Sequence, residues 1–186
     1  MKRSFDILIA LAAGLILLLP ALLIALAIKL TSAGPVLYWS DRVGRHNRLF
    51  RMPKFRSMYV EAPTVATHLL QDPARWITPL GRFLRVSSLD ELPQLWSVLI
   101  GDMSLVGPRP ALFNQHDLIA LRNELGVEAL RPGLTGWAQI NGRDEIAIPQ
   151  KVALDGYYLH HQSLALDLRI LARTVAKVFQ RDGVAH

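Results

Sequence analysis

The chain has 186 residues, 51% hydrophobic and 19% charged, with a formal net charge of +6 and a pI near 10.1. Its length suits a domain with a real core, and its lack of cysteine excludes a disulfide framework, a thiolate metal site and a cysteine nucleophile. The basic balance favours phosphorylated, nucleic-acid or anionic-membrane partners, but aromatics are only 8% and are not interleaved with a basic run, so no nucleic-acid partner is expected.

Residues 7–28 read ILIALAAGLILLLPALLIALAI. Roughly 22 apolar residues in a helix reach about 33 Å, enough for the hydrocarbon core of a bilayer. Three readings compete: a cleaved signal peptide, for which the apolar run is too long, a simple spanning helix, and a helix that enters the membrane and turns back. Pro20 interrupts the run, and a proline inside a helix removes a hydrogen bond and clashes with the preceding turn. Lys2 and Arg3 precede the segment, and Lys29, Arg42, Arg45 and Arg48 follow it. With both flanks basic, the charge imbalance that orients a spanning helix is missing, and a helix broken at Pro20 would keep both ends on one face.

Thr31 to Pro35 (TSAGP) ends that segment. Val36 to Trp39 and Leu49 to Met52 are expected to form short strands with a turn at Gly44 to Asn47. Residues 59–79 are expected to be loop with a short helix. Leu92, Leu95, Trp96 and Leu99 give one apolar face to a helix over Leu89 to Ile100. Residues 101–110 are expected as loop, 111–125 as a helix ending near Gly126, and 131–145 as an ordered loop or strand–turn. Leu164 to Gln180 is amphipathic. Leu164, Leu168, Leu171, Val175 and Val178 form its apolar face, and Arg169, Arg173, Lys177 and Arg181 its basic stripe. Such a helix either packs that apolar face on the core or lies at an anionic membrane surface.

Candidate chemistry centres on SSLDELPQL, residues 87–95. Ser88 and Glu91 fit the S-x-x-E pattern of a helix cap. Pro93 argues against that register, because its missing N–H suits the first helical turn. A helix starting at Leu89 or Asp90 places Asp90 at a positive helix end, which favours a carboxylate and a phosphate alike. A carboxylate can accept a phosphoryl group, and a second acid beside it can help hold Mg²⁺. Basic residues lie in loops near glycine or proline: Arg42, Arg45, Lys54, Arg56, Arg82, Arg85, Arg109, Arg131 and Arg143. Among them Arg109 is clamped between Pro108 and Pro110, which fixes where its guanidinium points.

The blocks KRSFDILIA, RVGRHNRLFRMPKFRSM, TPLGRFLRVSSLDELPQLWSVLIGDMSLVGPRP, RPGLTGWAQINGR and LDGYYLHHQSLALDLRIL run in order along nearly the whole chain. In them the sequence resembles the bacterial sugar transferases, the monotopic polyprenol-phosphate phosphoglycosyl transferases, in their minimal form. The resemblance implies an α+β fold, mostly helical, with an N-terminal re-entrant membrane helix over residues 1–33 broken at Pro20. A small β element and surface amphipathic helices would lie in a catalytic domain over residues 34–186, on the cytoplasmic face of the bacterial inner membrane.

The implied reaction moves a phospho-sugar from a UDP-sugar to undecaprenyl phosphate and releases UMP, as the first membrane step of glycoconjugate biosynthesis. By motif match Asp90 is the nucleophile that forms a covalent phospho-sugar intermediate, and Glu91 is its partner; both are the expected Mg²⁺ ligands. Lys54, Arg85, Arg109 and Arg143 are the expected phosphate or uridine contacts, and Asp155 and Asp167 occupy matching acidic positions. A homo-oligomer is compatible with this reading.

Three departures from the family pattern stand out. Ser40-Asp41-Arg42 replaces a Gln-x-Arg opening, Met52-Pro53 precedes Lys54 where a tyrosine is common, and no family motif falls between Met58 and Ile77. Pro53 is expected to stop its strand short, and the motif-free segment to bear on the choice of sugar. The contrasting reading, a silent membrane-anchored scaffold, gives no reason for Asp90, Glu91 and Arg109 together.

Overall fold

A computed structural model describes residues 2–63, 72–142 and 146–180. Among these residues the fold is mostly helical, as expected, with two small sheets where one small β element was expected. Two N-terminal helices, α1 (Lys2–Ile16) and α2 (Leu18–Thr31), meet at a 60° bend. No single helix among the described residues is long and apolar enough to cross a membrane. The arms are about 22 Å and 21 Å long. The break falls at Leu17 (φ −90°, ψ 1°) and not at Pro20. The reason is steric: the ring of a helical proline opposes the carbonyl four residues back, here Ile16, the last residue of α1. Pro20 itself sits in the first turn of α2, where its missing N–H has no partner to lose.

Both arms pack on the rest of the chain. Ala10 of α1 is fully buried in the main core with Met52, Val98, Met103, Val106, Tyr158 and Ile170. Ile28 of α2 joins a second cluster with Phe55 and Leu84. Arg3 donates to the carbonyls of Val98 (2.6 Å) and Leu99 (2.8 Å). Arg56 donates to the carbonyls of Ser32 and Ala33 and to the Ser32 hydroxyl. The entry and the exit of the helix pair are therefore tied to one body. Between them the outer surface is apolar: Leu8, Leu15, Ile16, Leu19, Leu22, Leu26 and Leu30 are each more than half exposed.

Strands β1 (Leu37–Val43) and β2 (Leu49–Phe55) form the expected hairpin, in register from Leu37↔Phe55 to Val43↔Leu49. The strands outrun the expectation, and Pro53 lies inside β2 opposite Trp39 rather than ending it. The Arg56 N–H bonds the Val36 carbonyl, so by alternation position 53 points its backbone away from β1. A proline on the outward side of a two-stranded ribbon forfeits no ladder bond.

The middle of the chain holds α3 (Pro73–Trp76), α4 (Pro79–Val86), a 3₁₀ turn at Leu89–Glu91 and α5 (Gln94–Ile100). The region expected as one helix from Leu89 is thus a turn followed by a helix. Bonds from Glu91 N–H to the Ser88 carbonyl and from Leu92 N–H to that of Leu89 close the turn. Pro93 donates nothing and becomes the N-cap of α5. Ser88 makes no side-chain cap bond, so the capping box is absent.

Beyond it, β3 (Ser104–Val106) runs parallel to β4 (Gly133–Thr135) through Ser104↔Gly133 and Val106↔Thr135. Both lie in segments expected as loop or strand–turn. Helix α6 (His116–Glu124) starts later than expected, because Leu112 bridges to Arg42, and it ends ahead of Gly126 at φ 72°. Short α7 (Trp137–Ile140) and α8 (Ile148–His161) follow.

Helix α9 (Leu164–Gln180) forms as expected, but the expected apolar face is mostly turned outward. Leu164, Leu168 and Val175 are 44%, 50% and 56% exposed, while Ile170 and Asp167 are buried and Leu166 packs on the core. Of the expected face, Leu171 alone is packed against the core; the side chain of Val178, and Arg181, lie outside the described residues. The i, i+4 spacing that marks the stripe cannot say which side of the helix faces the protein.

Candidate active site

Three elements converge on the Asp90–Glu91 pair. The 3₁₀ turn carries both acids, β2 carries Lys54, and the Gly107–Pro110 segment after β3 carries Arg109. The turn is entered through Ser88 in the left-handed region (φ 57°, ψ 16°), a conformation that costs a non-glycine residue about 1 kcal/mol and that clusters at functional sites. Asp90 is 8% exposed.

Lys54 Nζ stands 2.8 Å from Glu91 Oε1 and 4.0 Å from Asp90 Oδ2. Arg109 Nη2 is 3.5 Å from Glu91 Oε1. Burial pushes the Asp90 carboxyl above its ordinary value; Lys54 opposes this, the Glu91 charge adds to it, and Arg85 and Arg109 oppose it further. Burial also pushes Glu91 up, but Lys54 and Arg109, with a hydrogen bond from Lys54, outweigh it and hold Glu91 at about 2. The two neighbouring acids are driven apart: Glu91 is a fixed anion, and Asp90 is a desolvated, more basic carboxylate. A pair whose environments separate its members in this way divides its labour.

Lys54, Arg85, Arg109, Asp90 and Glu91, all anticipated from the sequence, therefore meet at one place. Arg143 lies outside the described residues. Asp155 and Asp167 are both 1% exposed and pair elsewhere. Asp155 accepts from Arg122 Nε (3.0 Å) and Nη2 (2.6 Å), and Arg122 Nη1 donates to the Arg109 carbonyl (2.9 Å). Asp155 thus acts on the site through Arg122, which holds the backbone of Arg109. Asp167 accepts from Lys2 Nζ (2.7 Å) and from the Tyr158 hydroxyl (2.6 Å), and so helps lock the start of α1.

Sequence reading overlooked Arg122 and Gln94. Gln94 stands inside the DELPQ block, three residues past Glu91, so adjacency to the acids was its signal. Arg122 had none, because its partner is 33 residues away.

The backbone around Arg109 is closely packed. A Cβ on Gly107 would be driven into the Arg131 carbonyl, and one on Gly133 into the Gly107 backbone. The glycines of the GPRP and RPGLTG blocks permit this approach of two chain segments, which fixes the loop that carries Arg109.

Among the described residues no group of three or more His, Asp or Glu is placed to hold a metal ion. The donor set at the site is two adjacent carboxylates. Mg²⁺ commonly takes one or two carboxylates and completes its octahedron with water and substrate phosphates; here both acids are of that type, and Glu91 Oε1 is paired with Lys54 and Arg109.

The profile of the family described as bacterial sugar transferase matches residues 1–181. A UDP-galactose-lipid carrier transferase of Erwinia amylovora is 40% identical over 98% of this chain, which spans 41% of that relative. A UDP-glucose:undecaprenyl-phosphate glucose-1-phosphate transferase of Escherichia coli is 41% identical over 96% of this chain and is spanned to 40%. An uncharacterized sugar transferase of Bacillus subtilis is 42% identical, with 99% of this chain and 90% of the relative covered. The chain thus spans about two fifths of the length of the first two relatives and most of the third.

Proposed function

Because the chain belongs to the bacterial sugar transferase family, we propose that it transfers a phospho-sugar from a UDP-sugar to undecaprenyl phosphate in two steps through Asp90. In the first step an Asp90 carboxylate oxygen attacks the phosphorus that bears the sugar. The bond from that phosphorus to the oxygen bridging toward the nucleoside breaks, and UMP leaves with the electron pair. In the second step a phosphate oxygen of the polyprenol phosphate attacks the same phosphorus, and the bond to Asp90 breaks to restore the carboxylate. One nucleophile then serves a soluble donor and a membrane-bound acceptor in turn.

The observation that carries this reading is the divergence of the two acids at 2.8 and 4.0 Å from a shared lysine. A buried, basic carboxylate suits nucleophilic attack. Lys54, Arg85 and Arg109 supply the fixed positive charge on which phosphoryl transfer depends. Glu91 keeps Lys54 and Arg109 aimed at the reacting centre. Mg²⁺, when held by Asp90 and Glu91, would neutralise phosphate charge. Asp155 and Asp167 are positioning residues on this account, and Arg143 remains a candidate contact to the donor.

Residues 1–33 form a re-entrant membrane element, and residues 34–186 a catalytic domain on the cytoplasmic face. Two arms too short to span, a bend at Leu17 and anchorage of both ends to one body support this topology. The outward stripe of α9, with Arg169 and Arg173 beside it, suits contact with the anionic headgroup layer.

The test is UMP release from a panel of UDP-sugars with Mg²⁺ and undecaprenyl phosphate. Asp90→Asn is expected to abolish release and any covalent adduct, and undiminished turnover in that variant would remove Asp90 as the nucleophile. Labelling of cysteines placed at the exposed positions 4 and 41 is expected on the same membrane face; opposite faces would refute the re-entrant topology.

A further inference from the structure

A second cationic site lies at the start of α1 and shares no residue with the Asp90 cluster. A pocket of about 170 Å³ is lined by Lys2, Arg3, Asp6, Arg45, Arg131 and Gln162, among others. Two of its guanidiniums, Arg45 and Arg131, are held through Nε, whereas Arg3 gives both terminal nitrogens to backbone. Arg3 bonds the carbonyls of Val98 and Leu99. Arg131 Nε bonds that of Gly101 (3.0 Å), and Arg45 Nε that of Ala129 (2.7 Å).

The one acid in the lining, Asp6, is 2% exposed and already accepts from the Ser104 hydroxyl (2.8 Å) and the Leu105 N–H (3.4 Å). Lys2 shares Asp6 (3.8 Å) and Asp167 (2.7 Å). Carbonyl dipoles orient these cations but do not neutralise them. Arg45 and Arg131, held at Nε alone, line an open space beside Lys2 and Arg3, and Asp6 is the one carboxylate among the described lining residues, an arrangement that concentrates anions. The forks of Arg45 and Arg131, held in place at Nε, match the oxygens of a phosphate.

Depth selects the source of that phosphate. Leu8, the first strongly exposed apolar residue, is 66% exposed and lies about 9 Å along the helix from Lys2. The pocket is thus level with the headgroups once α1 is buried in a leaflet. From this we infer that the Lys2–Arg3–Arg45–Arg131 pocket binds the phosphate of an anionic phospholipid headgroup. The inference rests on the re-entrant membrane reading above. Its consequence is a lipid-specific clamp that seats the start of α1, and with it α5 behind the catalytic turn, at a fixed depth.

The experiment uses the full chain in detergent micelles, titrated with short-chain phosphatidylglycerol, short-chain phosphatidylcholine, inorganic phosphate or UMP. Bound ligand is counted by native mass spectrometry. Phosphatidylglycerol is expected to bind saturably at one site and phosphatidylcholine not to bind there. Arg45→Gln/Arg131→Gln is expected to weaken phosphatidylglycerol binding about thirtyfold, from the contribution of each basic residue near an anionic lipid surface. Gln162→Glu, which removes no brace and adds a carboxylate, is expected to weaken it as well.

Equal binding of the two lipids, or unchanged binding in both variants, would overturn the site. Phosphate or UMP competing on equal terms with the lipid would overturn the lipid assignment. Flotation with pure phosphatidylcholine vesicles separates this inference from its premise. A protein that floats but shows no phosphatidylglycerol preference keeps its membrane element and loses the clamp, whereas one that does not float loses the premise.

Discussion

Replacing Lys54 with methionine removes the cation that organises the acidic pair while keeping a side chain of similar length. Lys54 stands 2.8 Å from Glu91 and 4.0 Å from Asp90. At an effective dielectric near 20 these separations correspond to about 6 and about 4 kcal/mol of gross attraction. Desolvation of partners only 17% and 23% exposed offsets much of this. The displacement of Glu91 from 4.5 to about 2 gives a net figure of about 3 kcal/mol between its protonation states. Arg109 supplies part of that, so Lys54→Met is expected to cost about 2–3 kcal/mol at pH 7, or about 5–10 °C in Tm for a chain of this size.

The sign follows from linkage. Glu91 has a depressed folded value, so its stabilisation is complete well above 4.5 and is lost as pH falls toward 2. By pH 3 less than half of the wild-type contribution remains, and the gap between wild type and variant is expected to shrink in proportion. Thermal unfolding of both proteins in the same nanodiscs, at pH 7 and pH 3, measures it. A deficit below about 0.5 kcal/mol at pH 7, or one that does not narrow at pH 3, would refute the account of Glu91 as an anion held by Lys54.

Asp90→Asn is expected to raise thermal stability at pH 7 while abolishing UMP release. Burial raises the folded value of Asp90 above 3.8, so its charge costs stability at neutral pH and ceases to do so below that value; unfolding at pH 7 and pH 3 reads the difference. Arg122→Met is expected to cost about 3–5 kcal/mol, because it strands the Asp155 carboxylate without its partner. Arg122→Met/Asp155→Leu should recover much of that stability in denaturation but not the KM for the UDP-sugar, since the Arg109 carbonyl stays unheld. Gly107→Ala is expected to lower kcat strongly, because its Cβ meets the Arg131 carbonyl and moves the loop bearing Arg109. A normal rate in that variant would show that the loop position is not critical.

Much of the site could be read before the fold. Asp90, Glu91, Lys54, Arg85 and Arg109 were each picked out by sequence, and they meet. The acids are neighbours in one turn, but Lys54 is 37 residues from Glu91, so it was the family resemblance, and not a local pattern, that pointed to Lys54 and Arg85. Asp155 and Asp167 look like further site acids in sequence. In the fold they are buried partners of Arg122 and of Lys2 with Tyr158. Arg122 matters through contacts that no local pattern marks.

What the sequence determined by itself is what depends on neighbours along the chain: the apolar N-terminal run, the hairpin around Gly44 to Asn47, the acidic turn before Pro93 and the amphipathic last helix. The tertiary structure decided the rest. It left Pro53 within β2, where its backbone faces outward. It turned the Leu164–Leu168–Val175 stripe of α9 away from the core in favour of Leu166 and Ile170. Spacing along a chain states that a helix has two unlike faces; which face is covered depends on what the distant segments bring against it.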